Sequence, residues 1–184
     1  MKRAFDVVAC GLFLPFFVLI LLIVIIAIRL QSPGPAIFTQ VRVGKGGRPF
    51  TCYKLRTMYS GTANLPTHQV EASSVTALGE YLRRFKIDEL PQLCNVLIGD
   101  MSLVGPRPCL PSQVELVEAR RRLGVLKVRP GITGLAQING LRGDTSIEER
   151  LENDLHYLQN WSFPCDLKII CLTVFRMLSG KNAY

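Results

Sequence analysis

The chain opens with a long apolar run that sets it apart from an ordinary globular domain. Between Val7 and Ile28, 20 of 22 residues are apolar and none is charged; Gly11 and Pro15 are the exceptions. As a helix, this run would be about 33 Å long, enough for a hydrocarbon core of roughly 30 Å. It is too long for a signal peptide, and no small-residue cleavage site follows it. The pattern therefore predicts a membrane helix that stays on the mature protein.

The residues in and around this run leave two geometries open. A single spanning anchor satisfies the length. A helix that enters the membrane and returns to the same face is favoured by Pro15, which removes a backbone hydrogen bond and predicts a break. It is also favoured by Lys2 and Arg3 before the run and Arg29 after it, because basic residues tend to stay on the cytoplasmic side. Proline occurs in spanning helices too, so the pattern alone does not decide.

The rest of the chain alternates short β-prone and helical patterns. Two β-prone runs flank the glycine-rich segment 44–47 and predict a β-hairpin. A segment rich in small polar residues, 59–75, predicts a loop. Helices are predicted at 76–85, from Asp88 onward, at 112–123, from 145 to about 160, and at 164–178, where apolar residues recur every three or four positions. That last apolar face suits either a core or a lipid interface.

Composition and charge narrow the class of protein. With 48% apolar and 20% charged residues, the chain is neither disordered nor collagen-like. Residues 31–70 carry five basic residues and no acid, which favours an anionic partner such as lipid head groups or substrate phosphates. The six cysteines show no C-x-x-C spacing, which argues against a zinc site or a disulfide framework and favours a reducing, cytoplasmic environment.

Two neighbouring acids, Asp88 and Glu89, are the first candidates for chemistry. Pro91 is tolerated only in a first helical turn, so we expect a helix to begin at Asp88 or Glu89. An acid at that position is a common helix cap, which is the structural interpretation. The catalytic interpretation divides the work: one carboxylate attacks phosphorus while the other holds Mg²⁺. Spacing alone leaves both interpretations open.

Arg107 is the second candidate, because prolines on both sides limit the freedom of its backbone. A guanidinium presented in this way suits the bidentate recognition of phosphate oxygens. The alternative is an exposed arginine in a stiff loop. Another turn, rich in proline and glycine, follows at 128–140 and contains Gln137; such turns are more often structural than catalytic.

Several motifs together resemble one family. They are KRAFD at 2–6, SPGPAIF at 32–38, YKLRTM at 53–58, IDELPQ at 87–92, GDMSLVGPRP at 99–108 and RPGITG at 129–134. In this order they resemble the bacterial sugar transferases, small monotopic phosphoglycosyl transferases that act on polyprenyl phosphate. The resemblance favours the catalytic interpretation of Asp88 and the phosphate-binding interpretation of Arg107.

The resemblance implies transfer of a sugar 1-phosphate from a UDP-sugar to polyprenyl (undecaprenyl) phosphate, with release of UMP. It implies that Asp88 is the nucleophile of a covalent phosphosugar intermediate and that Glu89, with Asp88, binds Mg²⁺. Basic residues would offset the phosphate charge; our candidates are Lys54, Arg56, Arg83, Arg107 and Arg129. Further candidates for substrate contact are Asn95, Gln137, Arg142 and Asp154.

The resemblance also favours the re-entrant helix, broken at Pro15. We therefore expect an α+β, mostly helical fold. A membrane hairpin at 1–30 precedes a catalytic domain at 31–184, with a β-hairpin and amphipathic interfacial helices, on the cytoplasmic face of the bacterial inner membrane. No nucleic acid is expected as a partner of this enzyme. The rival hypothesis is a membrane-tethered, non-enzymatic protein whose basic patch binds anionic lipid or nucleic acid.

Overall fold

The computed structural model describes residues 1–62, 74–141 and 145–179. Its elements follow in the order α1 (Lys2–Gln31), β1 (Ile37–Val43), β2 (Pro49–Leu55), α2 (Ala77–Arg84), α3 (Gln92–Ile98), β3 (Ser102–Val104), α4 (Val114–Arg122), β4 (Gly131–Thr133), α5 (Leu135–Ile138), α6 (Ile147–Gln159) and α7 (Phe163–Ser179). Short 3₁₀ turns lie at Lys45–Gly47, Ile87–Glu89 and Val125–Lys127. The prediction of a mostly helical α+β fold is confirmed. Most of the loop predicted at 59–75, and Arg142, fall outside the described residues.

The predicted β-hairpin is present. Strands β1 and β2 are antiparallel, with Ile37 opposite Leu55 and Val43 opposite Pro49. Their connection needs left-handed backbone at Gly46 and Gly47, whose φ angles are 69° and 79°, and glycine adopts this conformation without a Cβ clash. The hairpin brings Lys54, on β2, to the site described below.

A second, parallel pair of strands fixes the loop that carries Arg107. Ser102 of β3 pairs with Gly131 of β4, and Val104 pairs with Thr133. A Cβ on Gly131 would lie only 2.1 Å from the backbone nitrogen of Gly105. Glycine at 131 therefore allows the two segments to approach closely enough for the loop after β3 to sit against β4.

One face of α1 lies against the rest of the protein over the whole length of the helix. Near its start, the buried Asp6 accepts hydrogen bonds from Ser102 Oγ at 2.8 Å and from the backbone nitrogen of Leu103 at 3.3 Å. Near its end, Ile28 is buried in a cluster that includes Leu55 and Leu82. Between them the packed positions are Cys10, Phe17, Leu21 and Val24. These positions are separated by three, four or seven residues, so they form one helical stripe.

The opposite face of α1 is apolar and exposed. Its large exposed side chains include Leu12, Phe16, Leu19, Ile23 and Ile26. Among the described residues, α1 is the helix whose length and hydropathy would allow it to cross a membrane. The helix runs from Lys2 to Gln31 with Pro15 inside it, so the predicted break at Pro15 is not confirmed.

The helices predicted at 76–85, 112–123, 145–160 and 164–178 correspond to α2, α4, α6 and α7. The N-cap of α2 is Thr76, whose hydroxyl accepts a hydrogen bond from the backbone nitrogen of Gly79. In α7, Ile169 is buried, whereas much of the apolar stripe that the sequence indicated, including Val174, Phe175 and Leu178, is exposed. This part of the stripe is therefore not core, and its place in a lipid interface stays a prediction.

Candidate active site

The two acids lie on a 3₁₀ turn, Ile87–Glu89, which we call the catalytic turn, and not at the start of an α-helix as the sequence suggested. Helix α3 begins only at Gln92. Pro91 is the N-cap of α3, so it precedes the α-helix and does not lie in its first turn. Instead Glu89 and Leu90 donate to carbonyls three residues earlier, at 3.1 Å each. Lys86, with a φ of 52°, turns the chain into this segment.

The Glu89 carboxylate is held by two cations. Its Oε1 accepts hydrogen bonds from Lys54 Nζ at 3.0 Å and from Arg107 Nη2 at 3.1 Å. Burial alone would raise the pKa of Glu89, but the charges of Lys54 and Arg107 outweigh it and hold that pKa below its usual range. The second oxygen, Oε2, is buried without a hydrogen-bond partner among the described residues.

Asp88 is buried as deeply as its neighbour but has a different environment. Among the residues that the structure describes, none is seen to hydrogen bond to its carboxylate. Burial and the negative charge of Glu89 raise the pKa of Asp88 to about 6, against the opposing effect of Lys54, Arg83 and Arg107. Asp88 is therefore a carboxylate with spare lone pairs and raised basicity, both of which suit a nucleophile.

Two arginines that the sequence analysis did not select hold the loop that carries Arg107. Arg120 Nη1 donates to the carbonyl of Arg107 at 2.7 Å, and Arg42 Nη1 donates to the carbonyl of Pro108 at 3.1 Å. Arg120 is buried and also donates to Asp154 Oδ2, at 3.0 Å from Nε and 2.6 Å from Nη2. A signal for Arg120 existed: it follows the buried Leu116 by four residues and so shares its helical face.

The structure brings together four of the predicted residues, Asp88, Glu89, Lys54 and Arg107. Arg83 lies nearby: its charge lowers the pKa of Asp88, while its Nε donates to Thr57 Oγ1 at 2.9 Å. The candidate set therefore has two carboxylates and three cations, drawn from β2, α2, the catalytic turn and the loop after β3.

Other predicted substrate contacts are placed elsewhere. Arg56 donates to the carbonyls of Ser32 and Pro33 at the end of α1, and Arg129 donates to the carbonyl of Gly99. Asn95 is fully buried and bonds the backbone of β2 through Thr51 and Tyr53. Asp154 pairs with Arg120, and Gln137 Nε2 bonds the carbonyl of Ile132. Their predicted roles toward substrate stay predictions, as does that of Arg142, which lies outside the described residues.

The carboxylates of Asp88 and Glu89 fit Mg²⁺ as part of its set of ligands. No cluster of three or more acidic, histidine or cysteine side chains suited to a metal occurs within residues 1–62, 74–141 and 145–179. Mg²⁺, however, is often held by one or two carboxylates together with substrate phosphates and water. Glu89 Oε2 has no partner among the described residues, so with the adjacent residue Asp88 it offers a site that substrate phosphates and water would complete.

A buried carboxylate pair among three cations, on a domain packed along an apolar helix, is an arrangement suited to group transfer at a membrane. The chain belongs to the bacterial sugar transferase family, whose model matches residues 1–180.

Relatives of the chain carry names of this kind. The chain is 46% identical over 191 residues to a UDP-glucose:undecaprenyl-phosphate glucose-1-phosphate transferase of Caulobacter vibrioides, covering all of this chain and 72% of the relative. It is 46% identical over 185 residues to an uncharacterised sugar transferase, EpsL, of Bacillus subtilis, covering 99% of this chain and 89% of that protein. It is 37% identical over 188 residues to a UDP-N-acetylgalactosamine-undecaprenyl-phosphate N-acetylgalactosaminephosphotransferase of Aeromonas hydrophila, covering 99% of this chain and 44% of that relative.

Proposed function

We propose that this protein transfers a sugar 1-phosphate from a UDP-sugar to polyprenyl phosphate and releases UMP, as an early membrane step of glycoconjugate assembly. The observation that carries the proposal is the pair of adjacent carboxylates in different states. Glu89 is ion-paired with Lys54 and Arg107, and Asp88 is left without a hydrogen bond from the described residues. The names of the relatives support the same substrate classes.

In the first half of the reaction, an oxygen of Asp88 attacks the phosphorus that carries the sugar. The bond from that phosphorus to the bridging oxygen breaks, and UMP leaves with the electron pair, so that an acyl phosphate joins Asp88 to the sugar phosphate. In the second half, a phosphate oxygen of polyprenyl phosphate attacks the same phosphorus. The carboxylate of Asp88 is released and a polyprenyl diphosphate sugar forms.

A carboxylate that approaches a diphosphate meets repulsion, which the basic residues offset. Lys54 and Arg107 stand beside the carboxylates and present hydrogen-bond donors to phosphate oxygens, and Arg83 adds positive charge near Asp88. Glu89, through Oε2, and Asp88 would hold Mg²⁺, which would supply further neutralisation of the phosphate charge. The hydrogen bonds from Arg120 and Arg42 to the loop keep the guanidinium of Arg107 directed at the site.

We also propose that the protein is monotopic, with both ends of α1 on the cytoplasmic face of the membrane. Two observations support this topology. Asp6 and Ile28, near opposite ends of α1, pack against the same domain, and Lys2 is ion-paired with Asp166 of α7. A helix crossing the bilayer would carry one of its ends roughly 30 Å away from the domain.

Cysteine labelling in intact cells tests this topology. Ala4 is exposed, so Ala4→Cys adds a reporter near the N-terminus without removing the Lys2 ion pair, and the exposed Cys94 reports on the catalytic domain. The other cysteines are replaced by serine or alanine. We expect neither site to react with an impermeant maleimide until the cells are opened. Reaction at position 4 alone from outside would contradict the proposal.

UMP release tests the enzymatic proposal directly. The purified protein is given a panel of UDP-sugars, including UDP-glucose and UDP-N-acetylgalactosamine, with polyprenyl phosphate and Mg²⁺. We expect UMP with at least one donor and, when polyprenyl phosphate is left out, a protein heavier by one sugar phosphate. No UMP from any donor would favour a non-enzymatic lipid-binding protein instead.

A further inference from the structure

A cavity lined by cations lies where the end of α2 meets α5 and α7, apart from the Glu89 ion pairs. Its wall includes three cations, Arg84, Lys86 and Arg176, and two polar residues, Gln137 and Thr173. It is a shallow depression that is open to solvent, with a cavity volume of about 10 Å³. No acidic side chain is among its described lining residues. We call this cavity the basic niche; three cations without an acid suit an anion of high charge density.

The niche is close to the catalytic turn. Lys86 lines it and precedes Asp88 by two residues, so the Cα atoms of these residues can be no more than about 7 Å apart. The charge of Lys86 is also felt at Glu89, where it helps to lower the pKa. The niche therefore adjoins the catalytic turn through Lys86, and it does not include Lys54 or Arg107, which bind Glu89.

The surroundings of the niche have the composition of a membrane interface. On α7, Arg176 lies beside the exposed Val174, Phe175 and Leu178, whose exposed fractions are 50%, 67% and 78%. On the α2 side, the Arg84 guanidinium lies 5.7 Å from the centre of the partly exposed Phe85 ring. Exposed aromatic and aliphatic side chains next to arginines are typical of surfaces that contact lipid while their charges reach the head groups.

We propose that the basic niche binds the phosphate of a membrane lipid, and that it serves as the docking site of the lipid-linked acceptor before transfer. The acceptor role rests on the proposed function; the binding of a lipid phosphate does not. The cations supply the charge. Gln137 Oε1, which is buried without a partner among the described residues, can accept a hydrogen bond from a phosphate hydroxyl or a bridging water.

Direct binding tests the niche without any turnover. The full-length protein in a neutral detergent is titrated with farnesyl phosphate, with dihexanoyl phosphatidylglycerol, and with dihexanoyl phosphatidylcholine as the zwitterionic comparison. The double variant Arg84→Gln/Arg176→Gln removes two cations from the niche. The matched control, Arg121→Gln/Arg122→Gln, removes the same charge from the end of α4. We expect the double variant to bind farnesyl phosphate at least about tenfold more weakly, and the control to bind it normally.

The two lipid arms separate the sources of the phosphate. Loss of farnesyl phosphate binding alone supports an acceptor site, and loss of phosphatidylglycerol binding as well supports a general site for lipid phosphates. Equal affinities in the double variant and the control would overturn the proposal. Arg84 is exposed, so Arg84→Gln alone serves if the double variant unfolds, with Arg121→Gln as its control. Because the wild-type UMP assay is independent of this titration, failure of the function and failure of the niche are distinguishable.

Discussion

Two clusters of arginine and buried carboxylate meet at Arg107, one through its side chain and one through its carbonyl, and they differ in what they leave open. In the catalytic cluster, Glu89 uses one oxygen for both Lys54 and Arg107, while its other oxygen is buried without a partner in the part of the chain that the structure describes. In the supporting cluster, Arg120 directs three nitrogens inward, two to Asp154 and one to the carbonyl of Arg107.

The difference separates chemistry from positioning. A buried polar atom without a partner costs about 1–3 kcal/mol, so it is retained where a ligand supplies the missing partner. A cluster whose members bond one another has no such opening and acts on the site only through what it holds. We therefore expect changes in the first cluster to affect the reaction itself, and changes in the second to affect how well Arg107 is aimed.

The largest effect is expected from Asp88→Asn. An amide cannot form the acyl phosphate, so UMP release should fall by more than about 10³-fold while the circular dichroism spectrum stays unchanged. Glu118→Gln, an equivalent change at an exposed position, should leave the rate within about twofold. UMP release above a few per cent of wild type in Asp88→Asn would remove Asp88 from the nucleophile role.

Glu89→Gln should be the next most severe change, at about 10²-fold in kcat/KM. The substitution removes the charge that balances Lys54 and Arg107, and it weakens the proposed hold on Mg²⁺. Raising Mg²⁺ should restore part of the activity of the variant, and chelation should stop the wild type. Wild-type activity in the presence of EDTA would exclude a divalent cation from the reaction.

Arg107→Lys should cost roughly tenfold or more although the charge is kept. Lysine presents a point charge, whereas the guanidinium can donate to Glu89 and to a phosphate at the same time. Steady-state kinetics should show a raised KM for the UDP-sugar together with a lowered kcat. Near-normal values would mean that Arg107 only stiffens its loop.

The sequence could predict the catalytic cluster better than the supporting one. Asp88, Glu89 and Arg107 stand in contiguous motifs, and the hairpin that carries Lys54 follows from a local turn pattern. The 3₁₀ turn was missed because Pro91 was taken as part of a first helical turn, whereas Pro91 is the N-cap of α3 and the hydrogen bonds before it join residues three apart. The local pattern could not show where Arg56 or Asn95 point, because the backbone groups that they bond are 23 or more residues away.

The supporting cluster could not be predicted without the fold. Arg120 is the first residue of an Arg-Arg-Arg run at the end of α4, which by itself is explained by the helix dipole. Its neighbour Arg121 fits that explanation, since it is exposed and pairs with Glu118 three residues away. Its spacing from Leu116 places Arg120 on the buried face of α4, but its partner Asp154 is 34 residues away in sequence and is set by the packing of α4 against α6.

The neighbouring arginines give a matched test of positioning. Arg120→Lys keeps the charge but loses the forked contacts to Asp154 and Arg107, so we expect kcat to fall about tenfold with a smaller change in KM. Arg121→Lys should have no measurable effect on either constant. If Arg120→Lys only destabilised the fold, the melting temperature would fall but the pH dependence of UMP release would not change. If Arg107 is misaimed, the pKa of Asp88 should rise, because the charge of Arg107 lowers it.

The smallest effect is the pH dependence of the wild type, which tests the unequal states of the two carboxylates. The nucleophile must be ionised, and burial together with the charge of Glu89 raises the pKa of Asp88 to about 6. UMP release in the absence of polyprenyl phosphate should therefore rise with pH and reach half its maximum near that value, whereas Glu89 stays ionised throughout.

Arg83→Gln removes a cation that lowers the pKa of Asp88, so the midpoint of the pH profile should move to higher pH in this variant. Arg122→Gln should not move it. Higher Mg²⁺ should move the midpoint to lower pH, because a bound cation favours the carboxylate. A rate independent of pH between 5 and 7, under conditions where the chemical step limits turnover, would show that Asp88 is not the group whose ionisation starts the reaction.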